Sequence, residues 1–408
     1  MKNKKKYLAL IRSFSGIKAH LNVNEYIWEK LSKNFDKIFF INDDNLKFFS
    51  NYSQEWMEKE YNYEEIYKYI PKNVVLFDPK NSEEFSEFLE DKTIIAINQF
   101  RKLFQDIKTH YLMKKHNIKQ FQITNFGHGF GMTQHVPIKN FFKFINWQNK
   151  LLFQKITTLL SILGLIAKVD IRFISDRYVF EEILKHPIKN FLYKNKLLFT
   201  KELILINSRS YDILLDNKFP LSEDYIVHFN ANLNYWQEKE FRGKLSEESI
   251  SSHYYYLEKF LKKLSKEFNK EVIICIHPGH DLEEAQNFFK DFKVVKLRTR
   301  EFIYKAFLVT NFDSSVVDDA ILLKKRAIGF ISDFMTKNEV EHTKSKASIC
   351  GYMTLNTKKD FLFNKEEILS KLNKNIINYE KNIAYHHCVE PNINGTDKMI
   401  KIIKERFF

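Results

Sequence analysis

Short apolar runs alternate with amphipathic stretches along most of this 408-residue chain, and few features narrow the possible folds as much. YLALIRSF, KIFFIND, VVLFDP, TIIAINQF and KQFQITNF read as five strands. Between most of them lie segments with helical spacing, such as VNEYIWEKLSKNF and RKLFQDIKTHYLMKKHN. Strand, helix, strand in that rhythm calls for a parallel sheet with crossover helices on both faces.

The rhythm restarts after a less regular middle. DYIVHFNA, 224–231, reads as a new first strand, followed by the long helix SEESISSHYYYLEKFLKKLSKEFN. Ser246 is placed to cap that helix, with Glu248 in its first turn. EVIICI, KVVKLR, FLVTNF and RAIGFIS then read as strands, separated by helices from about Asp281 to Lys290, a short one, and one opening at Ser315. The turn-rich DNKFPLSED marks the junction, giving expected domains at 1–215 and 216–408. With 44% hydrophobic residues the chain can bury two cores.

The net charge is +14, which suits an anionic surface, a phosphorylated substrate or nucleic acid. No zinc-finger spacing, RNP-type strand or clustered-arginine helix accompanies it, so nucleic acid is not expected as a partner. Cys275, Cys350 and Cys388 lie far apart, which suggests neither a zinc site nor a disulfide framework and points to a reducing cytoplasm. The apolar run after the basic start MKNKKKYLALIRSF is too short for a signal peptide. The most apolar internal stretch, Ile156 to Ala167, is also too short to span a bilayer. It belongs to a lysine- and aromatic-rich segment, 140–170, that either packs on its own domain or rests on the inner face of an anionic membrane.

In open parallel sheets, ligands bind beyond the carboxyl ends of the strands. Three such ends carry unusual residues. TNFGHGFG follows the fifth strand, and Gly127 and Gly129 flank His128 so that a tight turn can expose its imidazole. The plainer reading is a glycine-rich turn with a bystander histidine. ICIHPGHD ends a buried strand in His277-Pro278-Gly279: the imidazole can donate to a phosphate oxygen, the proline fixes the backbone and the glycine leaves room for a ligand. A second His-Pro, His186-Pro187, follows a helical pattern and reads as a helix stop. In VTNFDSSVVDD a strand ends before Asp313, Ser314 and Ser315, which open a helix. Free amides and hydroxyls there would hold an anion, or the serines would simply cap the helix. Asp318 and Asp319, in its first turn, would satisfy the helix dipole or accept from a ribose.

Together these motifs resemble bacterial surface-polysaccharide transferases of GT-B fold, an α/β architecture of two Rossmann-like doubly wound domains facing a central cleft. His128-Gly129, His277-Pro278 and Asp313-Ser314-Ser315 are similar to the His-Gly, His-Pro and Asp-x-Ser-Ser segments of CDP-glycerol glycerophosphotransferases. The His-Pro and Ser-Ser pairs also resemble those of sialyltransferases and Kdo transferases, and NINGTDKMIKIIKERF resembles the closing helix of such enzymes. The resemblance lies mostly in 224–408; before that only FGHG matches, and there Gly127 stands where the glycerophosphotransferases have an aromatic.

The resemblance implies a cytidine nucleotide held by the second domain, with His277, Pro278, Gly279, Asp313, Ser314, Ser315, Asp318 and Asp319 on the donor side. His128 becomes the candidate general base for an acceptor hydroxyl. The acidic Asp/Glu-Asp-Gly motif of the sialyltransferases is absent, and Asp43 and Asp44, at a strand end in NDDN, are the acidic alternatives. Ser13, Ser15, Gly127 and Gly129 are the acceptor-side candidates. The expected activity is metal-independent transfer of a nonulosonate or Kdo-type sugar from a CMP donor to a capsule or lipopolysaccharide glycan, with no cofactor. The alternatives are CDP-polyol-phosphate transfer and an inactive GT-B scaffold in a glycan-assembly complex.

Overall fold

The computed structural model describes residues 5–12, 25–46, 71–98, 107–124, 156, 159–197, 199–216, 220–230, 246–276, 282–296, 298–312 and 314–408. The chain divides into two units, Met1–Asp212 with Cys388–Phe408, and Ile213–His387. Among the described residues every strand pairing in both is parallel.

In the first unit, β1 (Lys5–Arg12), β2 (Ile38–Asn42), β3 (Val74–Phe77), β4 (Lys92–Asn98), β5 (Lys119–Thr124), β6 (Val169–Ile174) and β7 (Thr200–Leu205) form one sheet in the order β3-β2-β1-β4-β5-β6-β7. The first five lie on the five expected runs. Leu8 and Leu10 of β1 point into a core with Trp28 and Leu31 of α1 (Glu25–Asn34), while Ala9 and Ile11 point the other way. There they meet Phe85 of α2 (Ser82–Phe88) and Leu112 and Met113 of α3 (Ile107–Lys115). Burial on both faces is why the run is continuously apolar. β6 and β7 escaped the sequence reading because VDIRFI and TKELIL interrupt their apolar residues with charge, and β7 is an edge strand.

Among the described residues this part of the chain also holds α4 (Arg177–Lys185), α5 (Pro187–Lys194) and α6 (Arg209–Asp216), with a helical turn at 159–162. His186 caps α4 and Pro187 opens α5, so the first His-Pro does end a helix. The tail departs from the expected boundary of 216–408. Cys388–Phe408 packs with the first unit, where Met399, Ile400 and Ile403 of the last helix (Gly395–Phe407) enter the core around Leu8 and Trp28. Two side chains clasp it. Asn207 accepts from the amides of Val389 at 2.6 Å and Glu390 at 2.9 Å and donates to the carbonyls of Glu390 and Ile393. The buried Asp212 carboxylate accepts from Gly395 N, Thr396 N and Thr396 Oγ1, each at 2.7 Å. A Cβ on Gly395 would sit 2.6 Å from Asn207 N, so the glycine of this closing motif answers to a backbone crossing.

The second unit holds β8 (Tyr225–Asn230), β9 (Glu271–Ile276), β10 (Lys293–Lys296), β11 (Ala306–Asn311), β12 (Arg326–Ile331) and β13 (Met353–Asn356), ordered β10-β9-β8-β11-β12-β13. Its helices are α7 (Glu247–Phe268), α8 (Leu282–Phe288), α9 (Thr299–Tyr304), α10 (Val317–Leu322), α11 (Lys337–Cys350) and α12 (Lys365–His386); the tail helix is α13. Ser246 caps α7 as expected, its Oγ accepting from Ser249 N at 3.1 Å, and Asn269 ends the helix in the left-handed region. Ile250, Tyr254, Leu257, Leu261 and Leu264 recur at three- and four-residue spacing and bury α7 against the sheet.

Candidate functional site

In both sheets the strand order reverses beside the first strand: β1 lies between β2 and β4, and β8 between β9 and β11. A crevice opens at such a switch point because the crossovers on its two sides leave toward opposite faces. The carboxyl ends of β1 and β4, and of β8 and β11, are therefore the places to look within each unit.

At the first switch point, β1 ends at Arg12 and β4 at Asn98, whose amide donates to Gln120 Oε1 at 2.6 Å in the interior. Asp43 follows β2; its backbone N–H donates to Arg12 O at 3.2 Å, and its side chain is fully buried. Asp44 is half-buried at the start of a single 3-10 turn, its N–H donating to Asn42 Oδ1 at 3.2 Å. The two acidic candidates thus differ: Asp43 faces the interior, and only Asp44 retains contact with solvent. β5 ends at Thr124. Ser13, Ser15, Gly127, His128 and Gly129 lie outside the described residues.

At the second switch point, β9 ends at Ile276, one residue before His277. His277, Pro278, Gly279 and Asp313 lie outside the described residues. Ser314 and Ser315 are described, and they do not open the helix as expected. α10 starts at Val317, its cap position is Val316 in the right-handed helical region, and no side chain caps it. The amides of Val317, Asp318 and Asp319 are already committed to the carbonyls of Ser314, Ser315 and Val316 at 3.1–3.3 Å. Tight turns across the entrance thus use donors that a longer helix would leave free for an anion. Ser315 remains exposed, and Ser314 is half-buried with its Oγ accepting from Val316 N at 3.3 Å. Asp318 and Asp319 are both buried, and Asp319 Oδ2 accepts from Arg300 Nε at 3.0 Å in an ion pair.

Several polar groups here were missed from sequence. Lys346, on α11, donates to Ser314 O at 2.8 Å and brings a cation beside the two serines. Nothing local in the sequence connects residues so far apart. His228 on β8 and His253 on α7 are fully buried beneath the same strand ends, ringed by Phe312 and Phe330. His228 Nδ1 meets Thr310 Oγ1 at 2.9 Å; among the described residues neither nitrogen of His253 has a hydrogen-bond partner. Burial drives the pKa of each down to about 3; at His228 the neighbouring His253 adds to the shift and Asn230 opposes it. Both rings are therefore neutral core groups, unsuited to proton transfer near neutral pH. Cys275, on β9, is equally inert: burial pushes its thiol up to about 12.

No protein-family model and no curated protein sequence matches the chain. Solved structures align along nearly the whole chain. A variant of the wall teichoic acid polymerase TagF aligns over 99% of this chain and 89% of its own, at 13% identity and a TM-score of 0.51. S. aureus MnaA, in complex with UDP, aligns over 98% and 96% at 9% identity, TM-score 0.49. CalG4, the calicheamicin glycosyltransferase, aligns over 99% and 98% at 10% identity, TM-score 0.45. With two parallel α/β units whose sheets share the order of their first six strands, the TagF likeness assigns the GT-B fold. At such identity a likeness defines architecture and leaves the chemistry to the residues.

Proposed function

We propose that the chain is a metal-independent glycosyltransferase that moves a nonulosonate or Kdo-type sugar from a CMP donor to a bacterial surface glycan. One observation carries the reading: the strands that lead into His277-Pro278-Gly279 and Asp313-Ser314-Ser315 are β9 and β11, the two neighbours of β8 at the switch point of the second sheet. In this reading His277 and the exposed Ser315 hydroxyl hold the donor phosphate, and Lys346 adds positive charge. With a phosphate as leaving group, catalysis needs charge stabilisation there and a base for the acceptor hydroxyl. His128 is the proposed base, with Asp44 as the acidic alternative. The protein would work in the cytoplasm, with 140–170 touching the inner membrane face.

The second reading is transfer of a polyol phosphate from a CDP donor, which the fold shared with TagF supports; the third is a catalytically silent GT-B scaffold. Calorimetric titration with CMP and CDP tests all three. CMP should bind wild type and lose affinity in His277→Ala; equal binding by the variant would remove His277 from the donor site. Incubation with CMP-sugars and CDP-glycerol in separate reactions distinguishes the first two by the nucleotide released, and release from neither donor favours the scaffold.

A further inference from the structure

The face of the first sheet that carries Ala9, Ile11 and Ala96 is apolar under α2 and α3. On β5 and β6 the same face turns polar. Gln120, Gln122 and Thr124 occupy alternate positions of β5, and Asp170 and Arg172 those of β6, with Gln122 directly opposite Arg172 in the register.

In the half nearer the strand amino ends the charges are paired, although among the described residues the buried Gln120 Nε2 has no partner. Asp170 Oδ1 pairs with Lys201 Nζ at 2.6 Å, its Oδ2 accepts from Gln120 N at 2.9 Å, and Gln120 Oε1 accepts from Asn98. The half nearer the carboxyl ends differs. Arg172 Nε donates to Thr124 Oγ1 at 3.1 Å, and that hydroxyl in turn donates to Phe173 O at 3.0 Å. Among the described residues the guanidinium has no carboxylate partner, and the half-buried Gln122 amide beside it makes no hydrogen bond.

A cation withdrawn from water without a counter-ion is costly, and interior charges are ordinarily paired. Desolvation alone lowers the pKa of Arg172, with no acidic neighbour to oppose it. Thr124 holds the Nε edge, leaving the terminal N–H groups as a fork of the shape that takes a phosphate or carboxylate by two parallel hydrogen bonds. Thr124 is also the last residue of β5, four positions before His128 in sequence.

We infer that Arg172 and Gln122 form an anion-binding subsite on the acceptor side, built for a phosphate or carboxylate group of the acceptor glycan. Its assignment to the acceptor, though not the presence of the anion subsite, rests on the transferase reading. Arg172 grips the anionic group and Gln122 donates to a remaining oxygen or to an adjacent hydroxyl.

The test is calorimetric titration of wild type, Arg172→Met, Arg172→Lys and Gln122→Leu with glycerol 3-phosphate and, separately, N-acetylneuraminate. Each protein is first checked for an unchanged melting temperature. Wild type should bind at least one anion, and Arg172→Met should weaken that binding at least about tenfold, the scale of a lost charge-assisted pair. Arg172→Lys should restore part of it and Gln122→Leu should lose less. Preference for the first probe identifies phosphate and for the second carboxylate. Equal binding by Arg172→Met, or no binding of either anion by wild type, overturns the proposal. CMP is titrated in a separate cell: absent CMP binding beside an Arg172-dependent anion response would defeat the donor reading and leave this subsite standing.

Discussion

Lowering the pH from 7 to 5 should destabilise the second unit through two residues that no ligand needs to touch. His228 and His253 have folded pKa values of about 3 against 6.5 for the free side chain. Between those limits the unfolded chain binds more protons than the folded one. The stability linked to each ring is therefore complete above about pH 6.5 and falls progressively as the pH drops toward 3. From pH 7 to 5 the loss is about 2 kcal/mol per histidine and about 4 kcal/mol for the pair, a large fraction of a typical domain stability. His253→Leu isolates the effect, because it replaces a ring with no hydrogen-bond partner among the described residues by an apolar side chain of similar bulk. At pH 7 the variant should be neutral or more stable by about 1 kcal/mol, since two buried unpartnered nitrogens disappear. At pH 5 it should retain about 2 kcal/mol that wild type loses. Urea unfolding at both pH values, followed by circular dichroism, supplies the double difference, in which the carboxylates and the first unit cancel. An identical pH dependence in wild type and variant would refute the reasoning.

Other outcomes follow from the clasp, the core and the surface. Gly395→Ala must push a Cβ into the Asn207 backbone and should cost about 3 kcal/mol, read as lost hydrogen-exchange protection of α13. Asp212→Ala removes the acceptor of three short hydrogen bonds and should release the same helix at a similar cost, about 3 kcal/mol, seen as faster proteolysis of the tail. Leu257→Ala, in the fully buried face of α7, should lower stability by about 3 kcal/mol in the same urea assay. If 140–170 touches anionic lipid, Leu163→Asp, which alters a side chain already 62% exposed, should reduce co-sedimentation with phosphatidylglycerol vesicles; unchanged binding would remove this part of the segment from the contact.

Ten of the strands were legible, most because buried parallel strands write themselves as continuous apolar runs, as in YLALIRSF and EVIICI, and KQFQIT because its apolar residues alternate. β6, β7 and β13 were not: β6 carries charge at alternate positions, β7 carries Lys201 and Glu202 side by side, and β13 is a four-residue edge strand. Ser246 was recognisable as a cap because capping is local, whereas Ser314-Ser315 was misread because turn geometry, not residue type, decided where α10 begins. The site candidates Asp43 and Asp44 looked equivalent on paper and are separated only by burial.

By itself the sequence determined the class of fold, the repeat of one parallel domain after another, and which residues follow the strand ends. These depend on periodicity and on neighbours in the chain. Tertiary structure alone decided the strand order, and hence that β9 and β11 flank β8. It also decided that the tail joins the first unit, that Asp319 pairs with Arg300, and that Arg172 stands beside Gln122 with no carboxylate partner among the described residues. Each is a contact between residues distant in sequence, fixed by how the sheets assemble rather than by any local preference.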